Sequence, residues 1–367
     1  MYTGSPDDVL ARHPDPTMPL SAEVSIPSLV RVKPDAVRRA GLYLRRAGLV
    51  RVALMQSEGL PAALLTPLEE GLHDATISVL QRVEVHEASF EAASALLADL
   101  TPACQAVIGY GGGKALDTAK YVSHLAQLPF LAVPTSLAND GFASPQSSLT
   151  LRGKRRSLPA RVPFGVVIDP ALCLGAPRSL WHSGVGELAA KVTAVADWKL
   201  AFHARGTPVD DYAALLADTA VLPFAAHPAH DAEGLRLLAT GLMLSCMAMA
   251  MAGSSRPASG SEHLVSHALD SLSARPRLHG LQVGLAAYLV SHLQGSTHSR
   301  VASLLDDADF FATVRADPFD PQEWLAAIAA APTMKTDHYT VLSSGDRLPE
   351  VRALIDHDPR LQGCFQR

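Results

Sequence analysis

Cysteine is scarce and scattered: Cys104, Cys173, Cys246 and Cys364 form no CxxC pair. That excludes a disulfide framework and a thiolate zinc site, and it suits a reducing cytoplasm, where the chain is expected to work. Charge is sparse as well, at 18% of residues, and sums to −5, so no global positive field recruits nucleic acid or anionic lipid. The one basic run, Arg152-Gly153-Lys154-Arg155-Arg156, reads as the tip of a solvated hairpin or loop. A membrane span is not expected either. Leu237 to Gly253 is uncharged and Met-rich but falls short of the roughly 20 residues that cross a bilayer, and it reads as a helix buried in a helical domain. Met1 to Pro19 is polar, acidic and proline-containing, without the basic start and apolar run of a signal peptide, so no export is expected. What remains is a chain of 367 residues, 48% apolar, with material for a large core and more than one domain.

The first half alternates apolar runs with helical spacing. Strands are expected at Arg51–Met55, Gln81–Val85, Ala106–Gly109, Phe130–Val133 and Phe164–Asp169, with helices at Ala62–Leu72 and Ser89–Leu100 between them. Strands spaced in this way predict a parallel sheet covered on both faces. After Pro177 the strand signals fade. Helical spacing dominates at Gly186–Ala204, Asp210–Val221, Glu233–Ala252, Glu262–Ser273 and Leu281–Leu293, with Gly, Pro, Ser or His breaks between. The predicted division is an α/β nucleotide-binding domain over 1–176 and an all-helical domain over 177–367.

Val107-Ile108-Gly109-Tyr110-Gly111-Gly112-Gly113-Lys114 reads as a strand, a glycine turn and a helix start running on through Asp117 to Lys120. Glycines let the backbone approach a diphosphate, and the helix N-terminus offers free N–H donors and a positive dipole end. The loop lacks the third glycine of the common dinucleotide fingerprint and follows the third strand candidate instead of the first. A second loop, Pro134-Thr135-Ser136-Leu137-Ala138-Asn139-Asp140-Gly141, brings hydroxyls and a carboxylate to the end of the next strand, where α/β sheets bind ligands.

Three histidines and a glutamate supply candidate metal ligands. His263 and His267 stand four residues apart and share a helix face, while His279 follows sixteen residues after His263 at the start of another helix. Neutral imidazoles suit a borderline divalent ion, and a catalytic site needs only three protein ligands and an open position. Glu187, in Gly184-Val185-Gly186-Glu187, offers the carboxylate.

In their order along the chain these motifs resemble the iron-containing alcohol dehydrogenase and dehydroquinate synthase superfamily, with the nearest likeness to glycerol-1-phosphate dehydrogenases. The likeness runs from about Ile26 to Leu342. It takes in the Gly111-Gly112-Gly113-Lys114 loop with Asp117 and Lys120, the Asn139-to-Pro145 loop, Lys191 to Ala201, Ser261 to Asp270, His279-Gly280 with Gln282, and Asp337 to Leu342. The resemblance implies a dehydroquinate synthase-like fold, with NAD(P)H on the glycine loop between two domains and a divalent ion on Glu187, His263 and His279. Zinc is the first choice of ion; nickel and iron are compatible. It further implies a small phosphorylated substrate, reduction of dihydroxyacetone phosphate to sn-glycerol 1-phosphate, and a homo-oligomer. Gly111, Gly112, Gly113, Lys114, Asp117, Thr135, Ser136 and Gln56 would then meet the cofactor. Asp140 and His267 would lie near the transferred proton, and Lys191 would meet the substrate phosphate or neutralise Glu187. Two positions depart from the pattern. Glu187 stands where these dehydrogenases usually have Asp and sugar-phosphate cyclases have Glu, which keeps a cyclase, or a dehydrogenase for another ketone, as the alternative. Gln56 stands where an Asp often meets the ribose of NAD, which makes NADP(H) acceptable.

Overall fold

The computed structural model describes residues 24–366, so the Met1–Pro19 segment lies outside the described residues. The strands are β1 (Leu29–Val32), β2 (Arg51–Ser57), β3 (Ser78–Val85), β4 (Ala106–Gly111), β5 (Phe130–Pro134), β6 (Gln146–Leu151), β7 (Lys154–Pro159) and β8 (Gly165–Ile168). Six of them form one parallel sheet in the order β1-β8-β5-β4-β2-β3, and β6 pairs with β7 as a separate antiparallel hairpin. The helices α1 (Ala40–Arg46), α2 (Ala62–Asp74), α3 (Phe90–Ala98), α4 (Gly113–Leu125) and α5 (Pro170–Leu174) accompany the sheet. The rest of the chain is helical: α6 (Arg178–Arg205), α7 (Asp211–Thr219), α8 (Leu222–Ala225), α9 (Ala232–Ala252), α10 (Ser261–Leu272) and α11 (His279–Gln294). Then follow α12 (His298–Asp307), α13 (Phe310–Ala316), α14 (Pro321–Met334) and α15 (Leu348–His357).

Side-chain alternation explains how the sheet is covered. On one face Val52, Leu54, Ile108, Tyr110, Leu131, Val133 and Val167 pack with Leu44, Leu68 and Leu72 of α1 and α2. Their neighbours Met55, Val107, Phe130, Ala132, Val166 and Ile168 point the other way and join the core of the helical half. β4 and β5 are buried along their whole lengths, which is why they read as continuous apolar runs. Three strands, β1, β6 and β7, escaped the pattern, and α6 begins earlier than expected. The strand β7 is Lys-Arg-Arg-Ser-Leu-Pro and almost wholly exposed, so only its pairing with β6 makes it a strand. α6 starts at Arg178, ahead of the expected Gly186, because its first turns carry Ser183 and Gly184, which break helical patterning but are buried by tertiary packing.

The Met-rich helix α9 is long and apolar enough to cross a membrane by length and composition, yet half of its apolar window is buried in the fold. Leu235, Leu238, Leu242, Cys246 and Met249 form its core-facing side.

The crossing of α6 and α11 positions the candidate site. A Cβ on Gly186 would lie 2.1 Å from the Gly280 carbonyl oxygen, and one on Gly284 would lie 2.6 Å from the Cα of Gly186. The two helices therefore meet backbone to backbone, which brings Glu187 on α6 beside His279 at the start of α11. Gly284→Ala is expected to force them apart and cost about 1–3 kcal/mol, the usual penalty of overpacking. A thermal melt with metal analysis on the same sample checks it, and a melting point equal to wild type would show that the crossing tolerates a methyl group.

Candidate active site

Glu187, His263 and His279 converge: one ligand atom from each lies within 4.8 Å of the others. His263 Nε2 is 3.3 Å from Glu187 Oε1, and His279 Nε2 is 3.6 Å from Glu187 Oε2. Two ligand atoms at about 2.0–2.2 Å from one tetrahedral ion are about 3.3–3.6 Å apart, so these spacings suit a shared metal. Glu187 Oε2 is buried and has no hydrogen-bond partner among the described residues. A buried carboxylate oxygen left bare beside two imidazole nitrogens is a donor set that an ion completes. Each imidazole is also held from its far side. His263 Nδ1 pairs with Glu262 Oε1 at 2.9 Å, and His279 Nδ1 with Ser266 Oγ at 3.1 Å, leaving both Nε2 atoms toward Glu187.

The charges follow from burial and neighbours. Burial works against a charge on Glu187, but Lys191 and His263 hold its carboxylate well below the usual range. Burial likewise opposes a charge on His263, yet Glu187 and Glu262 on either side lift its pKa to about 9. His279 is pushed down to about 4 by burial, with His263 adding to the effect against the opposing pull of Glu187. His267 is held well below the ordinary imidazole value by burial and by His279 and His263.

Lys191 is fully buried, and its ammonium donates to Glu187 Oε1 at 2.6 Å and Asp140 Oδ2 at 2.9 Å. Of the two roles open to it, neutralising the carboxylates is the one this geometry supports, and the phosphate role is not. Asp140 also accepts from Ser245 Oγ at 3.1 Å and faces the cleft. His267 lines the same cleft with its ring centre 6.5 Å from His263 and 6.2 Å from His279, outside the three-residue ligand cluster.

At the sheet end, Gly111 has a φ of +132°, and a Cβ there would lie 2.2 Å from Ser57 Oγ, so only glycine fits. Gly112 N–H donates to Ser57 Oγ at 3.0 Å, Thr135 N–H to the Gly111 carbonyl at 3.0 Å, and Gly113 opens α4. β2 and β4 are neighbours although β3 separates them in sequence, so the glycine turn sits at a point where the strand order reverses. Asp117 lines the cleft and pairs with buried Lys120 at 3.2 Å. Ser136 is half-buried beside Thr135. Gln56 is a different case: it is 2% exposed and turns its amide to Glu84 at 3.4 Å. The group that this strand end presents outward is Glu58, which meets His86 Nδ1 at 2.6 Å and Lys114 Nζ at 3.5 Å.

Residues 31–177 match the family described as iron-containing alcohol dehydrogenase. The glycerol-1-phosphate dehydrogenase (NAD(P)+) of Pyrococcus furiosus is 36% identical over 244 residues, 64% of this chain and 69% of that one. That of Hyperthermus butylicus is 34% identical over 284 residues, 74% of this chain and 81% of that one. The chain belongs to the glycerol-1-phosphate dehydrogenase family. Solved structures agree on the fold. The glycerol dehydrogenase of Schizosaccharomyces pombe superposes with a TM-score of 0.71 at 16% identity, covering 94% of this chain and 92% of that one. An iron-containing alcohol dehydrogenase of Thermotoga maritima gives 0.63 at 17% identity, covering 90% and 98%. The parallel sheet followed by a helical half is therefore the family's fold, as the motifs implied, and family membership carries with it an NAD(P) cofactor and a metal.

Within this dehydrogenase family site, some residues had no signal of their own in the sequence. Glu262 accepts from Gly260 N–H at 2.5 Å and Thr193 Oγ1 at 2.8 Å as well as holding His263. Asp197 accepts from Ser261 N–H at 2.7 Å and Val341 N–H at 2.9 Å, tying α6 to α10 and to the turn at 341–343. Burial and the nearby Glu262 raise Asp197 to about 6. Lys120, already part of the glycine-loop motif in the sequence, reaches the Gly141 carbonyl and Ser144 Oγ, fixing the second loop against α4.

Proposed function

We propose that this chain is a metal-dependent NAD(P)H oxidoreductase that reduces dihydroxyacetone phosphate to sn-glycerol 1-phosphate. The observation that carries the reading is the Glu187–His263–His279 cluster, with its bare carboxylate oxygen, set in a cleft of about 110 Å³. One enclosed water takes about 10–15 Å³, so the space suits a small polyol phosphate. When bound, the ion supplies Lewis-acid polarisation of the ketone and the nicotinamide supplies the hydride. We place zinc there first, with nickel and iron compatible by ligand type. The division of labour between residues 1–176 for the cofactor and 177–367 for metal and substrate is part of the same proposal, as is a cytoplasmic setting for the four free cysteines.

Lys191 and Ser245 hold Asp140 at the cleft wall, and His267 stands there as a neutral imidazole able to pass a proton to or from the substrate oxygen through water. Glu187 is longer than the family's usual Asp, but its carboxylate still faces both imidazoles, so the departure does not by itself call for the chemistry of a cyclase. The test is a panel of phosphorylated and free ketones followed at the nicotinamide absorbance, with metal content measured on the same sample. Net oxidation of NAD(P)H with dihydroxyacetone phosphate supports the reading, and turnover without net oxidation contradicts it.

His267→Asn is expected to retain the ion and slow turnover by roughly 10²–10⁴, the range for lost acid–base assistance. Loss of metal in that variant would make His267 a ligand, and near-wild-type turnover with a lowered melting point would make it structural. Cofactor choice is expected to depend on Glu58, since acidic residues at this strand end repel a 2′-phosphate and Lys114 stands beside it. Glu58→Gln should shift the kcat/KM ratio toward NADPH over NADH by a few-fold, the modest effect expected of one exposed charge. An unchanged ratio would place cofactor discrimination elsewhere.

A further inference from the structure

We propose that Lys335 and Arg155, with the hydroxyls of Ser255 and Ser259, form the subsite that holds the phosphate of the substrate. The proposal rests on the reading of the substrate as a phosphorylated ketone. Four carboxylates line the cleft, Asp117, Asp140, Glu187 and Asp270, so a dianionic substrate enters only where positive charge meets it. Lys120 and Lys191 do not supply that charge, because both are buried and committed to Asp117, Asp140 and Glu187. The cations on the cleft wall are Arg155 and Lys335.

Both are uncommitted and both are placed. Lys335 follows α14 and reaches Ser255 Oγ at 3.4 Å, with no carboxylate in ion-pair range among the described residues. Arg155 donates through Nε to Ser148 Oγ at 2.7 Å, which fixes the side chain and leaves the rest of the guanidinium fork free. Ser259, 5% exposed, lines the cleft with a buried hydroxyl that has no hydrogen-bond partner among the described residues. A buried hydroxyl without a partner costs free energy, and a phosphate oxygen between it and Lys335 would recover that cost. Burial pulls the Lys335 ammonium below its ordinary pKa against the pull of Asp337, with Arg256 adding to the effect, so the cation gains from any anion brought to it. The basic run that reads from sequence as a solvated hairpin tip thus reaches the site, because the β6–β7 hairpin carries Arg155 to the cleft.

The test compares metal-loaded wild type with Lys335→Gln, Lys335→Arg and Arg155→Gln. It measures the ratio of kcat/KM for dihydroxyacetone phosphate to that for unphosphorylated dihydroxyacetone, and binding of inorganic phosphate by calorimetry. Lys335→Gln is expected to lower the ratio on the order of 10²-fold and to abolish phosphate binding, as loss of a charge-assisted contact implies. Arg155→Gln should lower it by a few-fold, in keeping with a more exposed charge, and Lys335→Arg should keep most of it. Folded variants of both residues with the wild-type ratio and wild-type phosphate binding would overturn the assignment. A wild type with no preference for the phosphorylated ketone would instead overturn the substrate reading. The calorimetry would still decide the subsite, since retention of phosphate binding in Lys335→Gln, or its absence in wild type, counts against it.

Discussion

His263→Ala is expected to lose the bound ion and to lower turnover by about 10³-fold or more, because the several kcal/mol of charge stabilisation supplied by a Lewis acid disappear with it. The fold should survive, since the paired Lys191 still neutralises Glu187. The same residue sets a pH dependence. In the metal-free protein His263 has a pKa of about 9, so at neutral pH it carries a proton that an incoming ion must displace. Metal affinity should therefore rise about tenfold per pH unit up to about pH 9 and then flatten, with one proton released per ion on the acid side. The linkage to folding has the opposite sign. Stability from the charged His263 is fully present below the ordinary imidazole value and is lost as pH rises through about 9. Calorimetry in buffers of different ionisation enthalpy reads the proton count, and metal uptake that is independent of pH would show that His263 is not the displaced group.

Lys191→Met is expected to be the most destabilising single change at the site. It leaves Asp140 without its counter-charge and buried Glu187 with only the His263 imidazolium beside it. Breaking one member of a buried ionic group costs about 3–5 kcal/mol. A divalent ion at Glu187 would return part of that positive charge, so the loss should be larger in chelator-treated protein than in metal-loaded protein. Denaturant unfolding of both forms tests this. Equal destabilisation with and without metal would mean that the ion does not share Glu187 with Lys191.

The Glu187–His263–His279 cluster, which we propose holds the metal, was legible because its chemistry is carried by residue type: clustered histidines and a glutamate among glycines are unusual enough to stand out. Five of the six sheet strands were legible, β2, β4, β5 and β8 because strands buried on both faces leave apolar runs, whereas the short, half-exposed β1 leaves none. What stayed hidden depends on contacts between distant segments. Glu262 was visible only as the neighbour of His263, and its role comes from hydrogen bonds to Thr193 and Gly260 that the fold creates. Asp197 gains its role from Val341, 144 residues away. Gln56 was assigned to the ribose by its place at a strand end, but strand register sets it against Glu84 in a buried position and turns Glu58 outward. Arg155 was hidden by its own strand, whose charged sequence gives no period-two signal until β6 pairs with it.

The most direct test of the account is the stereochemistry and stoichiometry of one reaction on metal-loaded protein. Dihydroxyacetone phosphate is supplied with NADPH or NADH, the nicotinamide is followed by absorbance, and the glycerol phosphate formed is resolved by enantiomer-specific assay. The account predicts sn-glycerol 1-phosphate, one nicotinamide oxidised per molecule of product, and loss of both when the ion is chelated. Product of the opposite hand, or turnover that survives complete removal of the metal, would contradict it.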